Sequence, residues 1–233
     1  MIETVFFDFG GTLVYEPYPH ADSFFAFLRS QGIEASREEV AAGTQAMKEY
    51  HSAWRRAHPE DGSKRLADRF WYHACLAFAR HIRSITDSED LAELMHAHHA
   101  IIPYRLYDDA VPALDALASE GVKMAIISNW DAPTLEFALR DLGIRRYFVA
   151  ALSSRCAECE KPASRIFYEA CRRAETTPDV SVMVGDSLAA DIQGAHVIGM
   201  RAVWINRNGE PPPASFPVIR ALTELPVVLS IMG

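Results

Sequence analysis

From Val122 to the C-terminus, short apolar runs alternate with stretches whose apolar residues recur every three or four positions. Strands interleaved with amphipathic helices in this way predict a parallel sheet with helices on its faces. The run 122–128, VKMAIIS, reads as a buried strand. A helix follows, with Pro133 near its first turn, Leu135, Leu139 and Leu142 along one face, and Gly143 as its stop. Further strands are expected in YFVAALSS (147–154), VSVMVGDS (180–187) and RAVWIN (201–206). Between them lie a helix through Ile166, Phe167, Ala170 and Cys171 and a short one ending near Gly199. Residues 211–217, PPPASFP, form a loop, and Pro226 keeps the closing helix of the tail short. Near the N-terminus, the apolar run at Val5–Phe7 stops at an acid, Asp8, and turns through Gly10 and Gly11 into Thr12. The predicted fold class is α/β, a doubly wound parallel sheet.

The separation between the first strand and Val122 far exceeds the dozen or so residues that a parallel crossover needs. Only 108–121, DDAVPALDALASEG, is required as the crossover helix. The rest carries helical periodicity: Phe24, Phe27 and Leu28; Val40, Met47, Tyr50 and Trp54; Phe70, Ala74 and Phe78; Leu91, Leu94 and Met95. We therefore divide the chain into a core of residues 1–14 and 105–233 and an inserted helical bundle of residues 15–104.

Composition narrows the function classes. The chain has 233 residues, 49% of them hydrophobic, enough to fill a proper interior. Its net charge of −8 argues against non-specific binding to nucleic acid or an acidic membrane surface. No apolar run has the length of a spanning helix, and Glu3 and Asp8 stand where a secretory signal would be basic and then apolar. A cytoplasmic protein, a monomer or weak homodimer, is expected. Cys75, Cys156, Cys159 and Cys171 are too sparse for a disulfide framework and are expected to be thiols.

In open α/β sheets, ligands bind beyond the carboxyl ends of the strands. The strand-end residues here are Asp8 with Thr12, Ser128 with Asn129, and Asp186 with Asp191, while Lys161 lies in the loop after the ALSS strand. Carboxylates gathered this closely repel one another unless a cation joins them, and oxygen ligands suit Mg²⁺. Phosphoryl transfer is the matching reaction class, because it needs a metal, a fixed lysine and aligned donors.

Four segments, DFGGTL (8–13), IISN (126–129), EKPASRIF (160–167) and GDSLAAD (185–191), resemble in order and spacing the four motifs of the haloacid dehalogenase-like hydrolase superfamily. The resemblance covers nearly the whole core, a Rossmann-like domain in that family, and the inserted helices look like its helical cap. It implies that Asp8 is a nucleophile forming an aspartyl-phosphate. It also implies that Asp186 binds Mg²⁺ with Asp191 holding the metal shell from nearby, that Thr12, Ser128 and the backbone around Asn129 hold the phosphoryl oxygens, and that Lys161 neutralises charge between Asp8 and the phosphate. The implied substrate is a small phosphorylated metabolite, admitted by a cap hinged near Val14–Pro17 and Pro103–Arg105.

One position departs from the pattern. Two residues after the nucleophile, most phosphatases of this family carry a second aspartate, which protonates the departing alcohol; here it is Gly10. Losing a general acid costs about 10²–10⁴ in rate. Gly10 still supplies the backbone carbonyl that ligates the metal in the family. Three readings follow: a Mg²⁺-dependent phosphatase with impaired acid catalysis, a metal-independent 2-haloacid dehalogenase, or a weak or inactive member that binds a phospho-ligand or a protein. Tyr15, Glu16 and His20 are candidates for a substitute acid.

Other signals carry less. Cys156-x-x-Cys159 is half a zinc site with no second pair. The helical pair His96 and His99, and the cluster of Arg55, Arg56 and His58 followed by Glu60 and Asp61, read as solvated surface. Trp54, Phe70, Trp71 and Tyr72 at helical spacing read as packing.

Overall fold

The computed structural model describes residues 2–17, 20–57, 70–98, 103–130, 132–209, 211 and 215–232. His58, Glu60, Asp61, His99, residues 212–214 and the side chain of Arg55 lie outside the described residues. The chain divides into two compact units, Met1–Tyr15 with Arg105–Gly233, and Glu16–Tyr104.

The first unit is built on a parallel sheet of six strands: β1 (Thr4–Phe7), β4 (Lys123–Ser128), β5 (Ala150–Ser153), β6 (Ser181–Gly185), β7 (Arg201–Ile205) and β8 (Val218–Ile219). Their order is β5-β4-β1-β6-β7-β8, so the chain winds outward from β1 to one edge and then returns to build the other. Phe7 sits opposite Ile126 and Val184 in the register, which puts Asp8, Ser128 and Asp186 at the carboxyl ends of three neighbouring strands. Successive side chains on a strand face opposite sides of a sheet. Phe6, Ala125, Ile127, Leu152 and Met183 face one side, against Ile166, Phe167, Ala170 and Cys171 of helix α8 (Ser164–Ala174). Val5 and Phe7 face the other and are equally buried, so both faces are covered.

The crossover helix α5 (Ala110–Ser119) ends before Gly121, whose φ of 74° suits glycine, and α6 (Ala132–Asp141) ends before Gly143, with φ of 69°. The strand after α6 is shorter than the periodicity predicts, because residues 145–147 close into a helical turn first. Two features escape the pattern altogether. A two-stranded antiparallel ribbon pairs β2 (Val14–Tyr15) with β3 (Arg105–Leu106) where the chain leaves and re-enters this unit. The two-residue β8 follows Pro217, whose carbonyl accepts from the Trp204 amide.

The second unit contains α1 (His20–Ser30), α2 (Arg37–Ala57), α3 (Phe70–Ala79) and α4 (Ser88–Ala97). Phe24, Phe27, Leu28, Val40, Phe78, Leu91 and Met95 form its interior, as their helical spacing predicts. Leu94, expected on the same face, is instead exposed. Trp54, Phe70 and Trp71 pack edge to face on one another. The α2 and α3 backbones meet at Gly43, where a Cβ would lie 2.8 Å from the Phe78 ring. Among the described residues, no helix is long and apolar enough to cross a membrane.

Candidate active site

Asp8 follows β1 directly, and its amide donates to the Val184 carbonyl at 2.9 Å, fixing the start of its loop to β6. Lys161 reaches in from the segment after β5 and α7 (Ser154–Ala157). Its Nζ lies 2.6 Å from Asp8 Oδ1 and 2.6 Å from Asp191 Oδ1. All three side chains are buried. Burial alone would lower the lysine pKa, but the charges of Asp191 and Asp8 outweigh it and raise it, so the ammonium form holds.

Asp8 behaves differently. Burial pushes its carboxyl up to about 7, against the pull of Lys161 and with the repulsion of Asp191 and Asp186 added. Asp186 is exposed on one side and crowded on the other. A Cβ on Gly11 would stand 2.3 Å from its Oδ2, so only glycine, with φ of 83°, fits there. Burial, with the charge of Asp191 added, raises Asp186 to about 6. Carboxylate oxygens of Asp8, Asp186 and Asp191 lie within 4.8 Å of one another. A hard divalent cation with oxygen preference fits this donor set, and its charge would favour the ionised form of both carboxyls against burial and mutual repulsion.

Asp191 is already committed. It sits on a π-helical turn, Leu188–Gln193, with Oδ1 on Lys161 and Oδ2 accepting from the Ser187 amide at 3.0 Å. A Cβ on Gly185 would strike its carboxyl at 2.3 Å, so the end of β6 must be bare. Were such a cation bound, Asp8 and Asp186 would be its chief carboxylate ligands among the described residues, because Asp191 already holds the lysine.

The remaining predicted residues take distinct places. Ser128 is buried at the end of β4, and its Oγ accepts from the Trp130 amide at 3.3 Å. The Asn129 side chain closes a reciprocal pair with the backbone of Lys161, accepting from its amide at 2.8 Å and donating to its carbonyl at 3.1 Å. That pair sets where the lysine starts. Thr12 is fully buried, and its hydroxyl has no hydrogen-bond partner among the described residues. Gly10 has an ordinary φ, and a Cβ there would meet only the Trp130 indole, at 3.5 Å, which is normal contact. Tyr15 packs on Tyr107 with the rings tilted by 39° and centroids 4.9 Å apart, and Glu16 pairs with His20. The four cysteines are free thiols; burial pushes Cys75 up to about 12 and Cys171 up to about 11.

Sequence reasoning missed the contribution of β7 and its following loop. Trp204 Nε1 donates to the Asp186 carbonyl at 2.8 Å, and Arg207 Nη2 donates to the Thr12 carbonyl at 2.8 Å. Both lie at the carboxyl end of a predicted strand, where the rule for ligand location already pointed.

Residues 2–199 match the family model described as haloacid dehalogenase-like hydrolase. The chain belongs to the haloacid dehalogenase-like hydrolases. Among curated members it is 29% identical over 224 residues to the human haloacid dehalogenase-like hydrolase domain-containing protein 3, covering 94% of this chain and 86% of that one. It is 31% identical over 231 residues to the ribulose-1,5-bisphosphate 5-phosphatase of Halopiger xanaduensis, covering 96% and 92%. Among solved structures, the 2-haloacid dehalogenase of Pseudomonas syringae pv. Tomato superposes with a TM-score of 0.73 at 27% identity over 100% of both chains. This hydrolase thus resembles family members of both chemistries.

Proposed function

We propose that the chain is a Mg²⁺-dependent phosphatase of small phosphate esters, working through an aspartyl-phosphate on Asp8. The observation that carries this reading is the buried Lys161, 2.6 Å from both Asp8 and Asp191, beside a third carboxylate on Asp186. The phosphatase of Halopiger xanaduensis, similar over 96% of the chain, supports it. In this reading Glu16–Tyr104 is the cap that selects the substrate.

Asp8 and Asp186 would hold the metal, which when bound offsets the negative charge of carboxylates and phosphate together. Lys161 holds an oxygen of Asp8 and neutralises charge as the phosphoryl group arrives. The free oxygen of Asp8 attacks phosphorus, the ester P–O bond breaks, and the leaving oxygen departs with the electron pair. Water then cleaves the aspartyl-phosphate, freeing inorganic phosphate and restoring the Asp8 carboxylate. Gly10 gives the leaving oxygen no proton, so esters of acidic alcohols and phenols are cleaved best, and alkyl esters about 10²–10⁴ times more slowly than an acid-equipped site would manage.

The test is hydrolysis of an aryl and an alkyl phosphate, each with and without Mg²⁺, by the wild type and Gly10→Asp. Metal-dependent aryl cleavage, with alkyl cleavage rising in the variant, is the expected result. The Cβ of the new side chain meets the Trp130 indole at ordinary van der Waals distance, 3.5 Å. Absence of phosphate release in every combination would sink the proposal. Metal-independent halide release from a 2-haloacid would favour the second reading, to which Gly10 and the likeness to the Pseudomonas syringae dehalogenase both point.

A further inference from the structure

Arg207 stands at the centre of a set of contacts that no part of the chemistry above uses. Its Nη1 lies 2.9 Å from Asp109 Oδ2 and its Nη2 lies 3.0 Å from Asp109 Oδ1, the fork-on-fork geometry that only a guanidinium makes. The same Nη2 donates to the Thr12 carbonyl at 2.8 Å. The guanidinium lies over the Tyr107 ring, 3.6 Å from its centroid. Asp109 is held in turn by the Leu222 amide at 2.8 Å. Arginine and aspartate are about equally buried, with side-chain exposures of 15% and 14%.

These contacts converge on the loop that begins at Asp8. The Tyr107 amide donates to the Leu13 carbonyl at 3.0 Å, so two successive carbonyls, of Thr12 and Leu13, are pinned by the Arg207–Tyr107 stack. Inside the loop, Gly11 donates to Val14 at 2.8 Å, and Leu13 and Val14 donate to Phe9 at 3.0 and 3.1 Å. A turn this tight moves as one body, so an anchor at Thr12 acts on Gly10 and Asp8 together. We propose that Arg207 is a positioning residue for the nucleophile: anchored on Asp109 and stacked on Tyr107, it fixes the Thr12 carbonyl and so aims the loop that carries Asp8. Together with Trp204, which holds the Asp186 carbonyl from the same segment, it makes the end of β7 the frame for both metal-facing acids.

Two variants test this, Arg207→Lys and the double variant Arg207→Met with Asp109→Asn. Lysine keeps a charge for Asp109 but cannot fork to it and reach Thr12 at once. The double variant removes both buried charges, so neither is stranded. The first measurement, hydrogen exchange of the Gly11, Leu13 and Val14 amides, is independent of activity. We expect exchange at least about tenfold faster in both variants, with the β1 amides unchanged. The second, which rests on the phosphatase reading, is turnover of an aryl phosphate with Mg²⁺: kcat falls about tenfold or more with KM nearly constant, the signature of a misaimed nucleophile. In a truncated Arg207→Ala chain, added guanidinium should recover part of kcat. Unchanged loop exchange in the folded variants would overturn the proposal. A wild type that turns over no phosphate ester but shows the exchange difference would sink the phosphatase reading and leave the positioning role standing.

Discussion

The two units of the molecule bury different things. At the carboxyl edge of the sheet the core unit buries a lysine between two aspartates, whereas the helical unit buries rings and aliphatic chains, and the buried polar residues described there, Ser23 and Thr44, are uncharged. Burying charge costs several kcal/mol per ion before any partner offsets it. Apolar burial is favourable at every step, about 1.5–3 kcal/mol for a side chain the size of phenylalanine. The core therefore spends stability to fix a few atoms, and the helical unit does not. This is why chemistry can be argued residue by residue in one and only packing in the other.

The contrast breaks most sharply at Asp8. Asp8→Asn removes the nucleophile without changing its size, and aryl phosphate turnover should fall by roughly 10³-fold or more. Retention of wild-type turnover with metal present would overturn the assigned role. Lys161→Met should lose activity too, and it should also destabilise the fold by about 3–5 kcal/mol, because Asp8 and Asp191 are left buried without their counter-ion. Denaturant unfolding measures this, and saturating Mg²⁺ should restore part of the loss.

In the helical unit, Phe78→Ala should cost a comparable ~3–5 kcal/mol for a different reason, the cavity left where the ring packs against Gly43. Its calorimetric Mg²⁺ affinity should match the wild type, which Lys161→Met should not. The smallest effect concerns pH. Asp8 and Asp186 are raised to about 7 and about 6, so protons compete with Mg²⁺ for them. Affinity should fall about tenfold in all between pH 7 and 6, most of it from Asp8. The sign for stability is the reverse of the usual carboxylate: a raised pKa favours the metal-free fold at low pH, and that contribution fades as pH rises from about 4 through about 7. The Tm difference between Mg²⁺-loaded and metal-free protein should accordingly widen over that interval. A constant difference would count against both shifts.

Much of this was legible in the sequence because the fold writes it locally. Strand-end acids announce themselves as an apolar run stopped by a carboxylate, and Asp8, Ser128 and Asp186 stand where that rule puts them. The helices of the second unit follow from spacing alone. Contacts spanning the chain left no such trace. Arg207 meets Thr12 across 195 positions and Asp109 across 98, and no periodicity links them. Nor does any local pattern announce that the Asn129 side chain pairs with the Lys161 backbone, 32 positions away. β8 escaped because two residues after a proline carry too little pattern.

The open contact between Gly10 and the Trp130 indole has a genetic consequence. A glycine codon GGT or GGC becomes an aspartate codon by one base change, and the Cβ it adds meets the Trp130 indole no closer than 3.5 Å. Where Gly10 is encoded by GGT or GGC, a library made by error-prone copying therefore samples the acid-bearing variant. On the phosphatase reading, growth of a host on an alkyl phosphate as sole phosphorus source would select for it, with the sequence of the helical unit unchanged.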